Sequence, residues 1–150
     1  MPARRVIVVS GLARTESRGA HQREDFPNSD ASLLKNQAAE LKGTKVVVYH
    51  TSWTYLLDWL DIEAVAALEP KPGIPPTTSH LESVLQAVKG QEVGAILIAP
   101  FEDDKAADWL SERTKIPVLT LPYTVGGSAK ADSLEALFEE TLTMLRDASS

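Results

Sequence analysis

The fold this chain predicts is α/β: a three-layer sandwich built on a mostly parallel sheet of four to five strands. Three observations lead there. Most of the short apolar runs are continuous rather than alternating and rich in β-branched residues, as strands buried on both faces are. Each run is followed by a segment with apolar residues at i, i+3 and i+4, the spacing of an amphipathic helix. The connections between them are short, so strand and helix alternate around one sheet. At 150 residues the chain is one domain's worth and can bury a real core.

The elements follow in order along the sequence. Met1-Pro2-Ala3-Arg4-Arg5 precedes the apolar run Val6–Val9, which Ser10 and Gly11 interrupt. That run is too short for the core of an export signal and reads as a buried strand. Arg14 to Asp30 is polar and lacks apolar periodicity, so it reads as loop or disorder. Residues 1–30 are therefore expected to be a polar leader with one short strand. A helix is expected from about Ala31 to Leu41, with Asp30 as its cap.

Val46-Val47-Val48-Tyr49 is the next strand, and Trp53, Leu56, Leu57 and Leu60 mark the helix after it. Ala64–Leu68 is an alanine-rich strand, and Leu81, Val84, Leu85 and Val88 mark a helix opened by the box-like Ser79-His80-Leu81-Glu82. Ala95–Ile98 comes next, with Ala106, Ala107 and Leu110 on the helix that follows. Pro117–Leu121 is the last strand. Behind Asp132-Ser133-Leu134-Glu135, a final helix carries Leu137, Phe138, Leu142 and Leu145.

Composition removes several functions. Twenty-one acids against 15 bases give a net charge of −6, the wrong sign for displacing counterions from nucleic-acid phosphates. With no cysteine there are no disulfides, thiolate metal sites or cysteine nucleophiles. No apolar run approaches the roughly 20 residues that span a bilayer. The sequence has no G-x-S-x-G elbow, H-E-x-x-H helix or dinucleotide fingerprint. Gly126-Gly127-Ser128-Ala129-Lys130 lacks the spacing that wraps phosphates and reads as a flexible turn. No enzyme activity is expected on these grounds. One alternative of a different class remains: a small flavodoxin-like enzyme or anion-binding domain using the Ser10–Gly19 loop behind the first strand.

Ligands of open α/β sheets sit at the carboxyl ends of the strands. His50 ends one strand there, and Asp132, reached from the last strand through a Gly-Gly loop, can approach the same edge. A neutral imidazole with one carboxylate is half of a four-coordinate N/O zinc site. Each residue also has a plainer reading. His50 could be a hydrogen-bonded strand-end histidine, and Asp132 could be a helix cap ahead of Glu135. His80 is expected to face solvent, and His21 lies in the polar leader. Glu69, before Pro70, could line the cleft, but is expected rather to be solvated or bonded to backbone. Trp53, Tyr55 and Trp59, at near-helical spacing, are expected in the core.

Three segments carry a resemblance. Lys45-Val46-Val47-Val48-Tyr49-His50-Thr51-Ser52-Trp53-Thr54-Tyr55 is similar to the segment of zinc-uptake solute-binding proteins that holds a metal-binding histidine. Leu68-Glu69-Pro70-Lys71-Pro72-Gly73-Ile74-Pro75-Pro76, with His80-Leu81 beyond it, resembles the following loop in one branch of that family. Leu121-Pro122-Tyr123-Thr124-Val125-Gly126-Gly127 resembles the strand and loop before the acidic ligand. The three motifs occur in order, and the similarity runs from about Ala31 to near the C-terminus.

The resemblance implies that residues 31–150 are the C-terminal lobe of a zinc/manganese ABC-importer solute-binding protein. Its expected cargo is zinc in preference to manganese, since the position of His50 is often glutamate in manganese binders. The expected ligands are His50 and Asp132, the acidic position falling there or on the neighbouring Ser133. The implied partners are the divalent ion and an ABC permease in the membrane, and the implied place is periplasmic or extracytoplasmic. No Asp-Pro-His-type motif stands for the N-terminal lobe, and Ala99-Pro100 replaces the acid many relatives carry before that proline. The uncovered edge would then expose Tyr49, Trp53, Pro70, Pro75, Pro76, Phe101 and Tyr123. That predicts a homodimer, a separate N-terminal lobe, or the leader folded back over the edge.

Overall fold

The structure, a computed structural model, describes residues 31–149. The expected strand Val6–Val9, the leader to Asp30 and the Ser10–Gly19 loop lie outside the described residues. Helix α1 (Ala31–Glu40) runs into the compact unit Gln37–Ser150, which carries every other described element.

That unit alternates strand and helix: β1 (Lys45–Val48), a 3₁₀ turn (Thr51–Trp53), α2 (Thr54–Leu60), β2 (Glu63–Ala67), α3 (Thr78–Val88), β3 (Val93–Ile98), α4 (Lys105–Thr114), β4 (Val118–Thr120) and α5 (Leu134–Ala148). The four strands form one sheet in the order β2-β1-β3-β4, and every described pair is parallel. The central strands read as expected for two covered faces: Val46, Val47 and Val48 in β1, and Ala95 to Ile98 in β3, are all buried.

Strand alternation divides these residues between two layers. Val47, Ile96 and Ile98 pack with Leu81, Val84 and Val88 of α3 and with Ala106, Ala107 and Leu110 of α4. Val46, Val48 and Leu97 lie outside that cluster, on the face served by Leu57 and Leu60 of α2 and Leu142 and Leu145 of α5. Right-handed crossovers require this split, because β1–α2–β2 moves across the sheet one way and β2–α3–β3 moves back the other. Helices therefore cover both faces of the sheet. Each fully buried Leu, Ile or Val side chain contributes on the order of 1.5–3 kcal/mol, so the valine and isoleucine strands dominate. Alanine-rich β2 is only half-buried and is held mainly by its ladder to β1, Lys45 facing Glu63 and Val48 facing Ala67.

Two helix starts differ from expectation. The α3 cap is Thr77, whose Oγ1 accepts from the His80 amide at 3.3 Å, not Ser79. The α5 cap is Ser133, whose Oγ accepts from the Ala136 amide at 3.1 Å, not Asp132. In both segments neighbouring residues can all cap, and the chain enters the helix where its backbone turns from extended to helical.

The tryptophan and tyrosine expectation also divides. Trp53 is buried, but Tyr55 is 91% exposed and Trp59 49% exposed. Only one side of the short α2 meets the sheet. Leu57 and Leu60 take it, and Tyr55 and Trp59, four residues apart, fall on the outer side.

Candidate metal-capture site

The order β2-β1-β3-β4 reverses direction between β1 and β3, and that point opens a crevice at the carboxyl ends of the strands. His50 follows β1 by two residues, beside this crevice, and Glu102 lies just past β3 on its other side. The ladder continues beyond the strands proper. Tyr49 N donates to Leu97 O at 2.9 Å, and Glu69 N donates to Tyr49 O at 3.0 Å. Because Val48 faces Ala67, advancing two residues on each strand brings His50 beside Glu69.

Their side chains meet: His50 Nδ1 hydrogen-bonds Glu69 Oε2. The other Glu69 oxygen, Oε1, accepts from the Gly73 amide at 2.9 Å. This loop closes on itself through Ile74 N donating to Lys71 O at 3.0 Å, and Gly73 takes a φ of +78° that a side chain would strain. The His50 side chain is 34% exposed and that of Glu69 13%, so the ring opens outward from a sheltered carboxylate.

Glu102 Oε2 accepts from the Ala99 amide at 2.7 Å. Burial raises its carboxyl pKa; the Ala99 amide and His50 work against that rise, and the charge of Glu69 adds to it. Tyr49, packed against the α3–α4 cluster, has its phenol pushed up chiefly by burial, then by Asp103, Glu69 and Glu102. One histidine and two carboxylates thus share one electrostatic neighbourhood.

Asp132 is exposed and joins no hydrogen bond to His50. Among the described residues, no group of three or more His, Asp or Glu side chains is arranged to hold a metal ion. The donor chemistry at His50 still fits a borderline divalent cation in part, as one imidazole nitrogen with carboxylates near it. His80 differs from its solvent-facing expectation. It is half-buried, and its Nε2–H donates to Ala67 O at 2.9 Å, which ties the start of α3 to β2. Glu69 bonds to backbone as expected, but its pairing with His50 and the nearness of Glu102 went unforeseen. Strand adjacency was the signal, since both Glu69 and His50 sit two residues past paired positions.

The edge is rimmed by aromatic rings. Trp53 meets Tyr123 edge-to-face at 5.3 Å between centroids, and Tyr123 meets Phe101 at 5.3 Å in the same manner. Phe101 is 69% and Tyr123 44% exposed, whereas Tyr49, Pro70 and Pro76 are half-buried and Trp53 buried. Trp53 and Tyr123 also border a groove of about 420 Å³ between α2 and α5, lined in part by Trp59, Leu137 and Phe138.

A crevice at a topological switch point, on a parallel sheet with helices on both faces, is where open α/β sheets take their ligands. Solved structures share the fold. The laminin-binding adhesin Lmb from Streptococcus agalactiae, in a mutant structure, superposes with a TM-score of 0.63 at 18% identity, over 80% of this chain and 47% of its own. ZnuA superposes with a TM-score of 0.64 at 17% identity, over 80% and 44%. The solute-binding protein FpvC from Pseudomonas aeruginosa, solved in complex with Ni²⁺, gives 0.55 at 21% identity, over 79% and 45%. The chain thus spans about half the length of these proteins. No curated protein sequence matches it. Over residues 26–148 the chain matches the family described as zinc-uptake complex component A, periplasmic (ZnuA), and it belongs to that family of metal-binding ABC-transporter solute-binding proteins.

Proposed function

We propose that the chain is a cation-capture lobe that binds a divalent transition-metal ion, zinc in the first instance, and hands it to an ABC permease. His50 is its imidazole ligand and Asp132 its acidic ligand, the latter reached by movement of the exposed loop after β4. The observation that carries the reading is the place of His50: just past a central strand, beside the switch-point crevice, with one ring nitrogen already engaged. Zinc accepts imidazole nitrogen and carboxylate oxygen in a tetrahedral set, which favours it at such a position. FpvC has been solved with Ni²⁺ and with Mn²⁺, so both ions belong in the comparison.

Two protein ligands leave coordination positions open, and affinity should fall well below that of a complete site. The remaining donors come from a second copy of the chain or from an N-terminal lobe, on the extracytoplasmic side of the membrane. No helix among the described residues is long and apolar enough to cross a membrane.

Titration calorimetry with zinc, nickel and manganese tests the proposal. Zinc is expected to bind most tightly, His50→Ala to abolish the heat, and Asp132→Asn to weaken it. A wild-type chain that gives no heat with any of these ions, or a His50→Ala variant that binds unchanged, overturns the reading.

A further inference from the structure

We propose that Glu69 is the positioning residue of this site: its carboxylate holds His50 as the Nδ1–H tautomer and leaves Nε2 as the lone-pair donor for the divalent ion. The inference rests on the capture reading for its cargo but not for its tautomer. An ionised carboxylate only accepts hydrogen bonds, so the proton between Glu69 Oε2 and His50 Nδ1 belongs to the ring nitrogen. In the neutral ring the lone pair then lies on Nε2.

Glu69 is built to stay in place. Its amide is bonded to Tyr49 O, its Oε1 accepts from Gly73 N, and the Lys71–Ile74 turn closes the loop around that bond. With both oxygens engaged, the carboxylate serves as an anchor rather than as a free ligand. Its direction also fits. Glu69 follows β2 by two residues, on one side of β1, and the crevice opens on the other side, between β1 and β3. The carboxylate therefore stands behind the ring relative to the crevice. A carboxylate bonded to the distal nitrogen of a metal-binding histidine orients the ring and raises its basicity, and losing it typically costs 10- to 100-fold in metal affinity.

The test uses the ¹⁵N-labelled full chain, freed of metal by a chelator, with long-range ¹H–¹⁵N correlation of the imidazoles near pH ~8.5, above the ordinary histidine range. His50 is expected in the Nδ1–H form. His80, whose Nε2–H donates to Ala67 O, supplies the opposite tautomer as an internal standard. Glu69→Gln has one carbonyl oxygen for the two donors that the carboxylate serves, and Glu69→Ala has none. Both are expected to move His50 toward Nε2–H and to weaken zinc binding by roughly 10- to 100-fold, with the His80 signals unmoved. A wild-type His50 already in the Nε2–H form overturns the inference. So does an unchanged tautomer in both variants, or unchanged zinc affinity in Glu69→Ala despite a changed tautomer. If wild-type His50 shows the Nδ1–H form but no ion binds, the cation-capture reading falls and the tautomer assignment stands.

Discussion

Glu102 is a half-buried carboxylate whose cost depends on its charge. Burial raises its folded-state pKa above the unfolded value, so the folded chain takes up a proton there more readily than the unfolded chain does. The stability penalty is therefore present above the folded pKa and is released as pH falls through it. Glu102→Gln keeps an acceptor for the Ala99 amide and removes the charge. In metal-free urea melts the variant should be more stable than wild type at neutral pH, by a fraction of ~1 kcal/mol because solvent screens part of the effect. The difference should shrink as the pH falls through the raised pKa, where the wild-type carboxyl also becomes neutral. A variant less stable than wild type at neutral pH would show that the Ala99 amide, with His50 behind it, outweighs burial. His50 was readable as a strand-end residue from the run of valines before it. Its partner was not, because Glu69 lies 19 positions on and meets it only through the parallel register of β1 and β2.

The caps carry the clearest prediction at the level of elements. Thr77→Ala removes the side-chain acceptor at the start of α3 and should cost about 1 kcal/mol, whereas Ser79→Ala should cost a few tenths at most. Likewise Ser133→Ala should destabilise α5 by about 1 kcal/mol, while Asp132→Ala leaves that helix as stable as before. Thermal melts of the four variants check both pairs. The second comparison also frees Asp132 for a ligand role, since any effect of its loss on zinc affinity is then not a capping effect. The helices and strands were legible because burial imposes periods of 3.6 and of continuous apolar runs on the sequence. Their starting residues were not, since Thr77, Thr78 and Ser79 are all competent caps and only the backbone decides among them. The exposure of Tyr55 and Trp59 was hidden for a related reason. A helix as short as α2 shows no complete stripe, so its outer aromatic residues look like core.

Across the Gln37–Ser150 unit, large apolar side chains gather on the outer side of α2 and along the rim of the site: Tyr55, Trp59, Phe101 and Tyr123 all stand at least 44% exposed. Contiguous apolar surface of this kind marks an interaction surface more often than idle surface. Sedimentation velocity is expected to show concentration-dependent self-association, strengthened by zinc if two copies of His50 share one ion. A Tyr55→Ser, Trp59→Ser, Phe101→Ser triple variant should sediment as a monomer. A wild-type monomer at high concentration, with and without zinc, would rule out the shared-ion arrangement. The ring contacts at this edge have a consequence for how the site can be watched. Trp53 touches Tyr123, which touches Phe101, so one chain of rings links the loops after β1, β3 and β4. Three chromophores held edge-to-face in an asymmetric environment give a near-ultraviolet dichroic signal, and the indole among them sits three positions from His50. The protein thus has a built-in optical gauge of this sheet edge, one that registers loop movement there without a dye or a label.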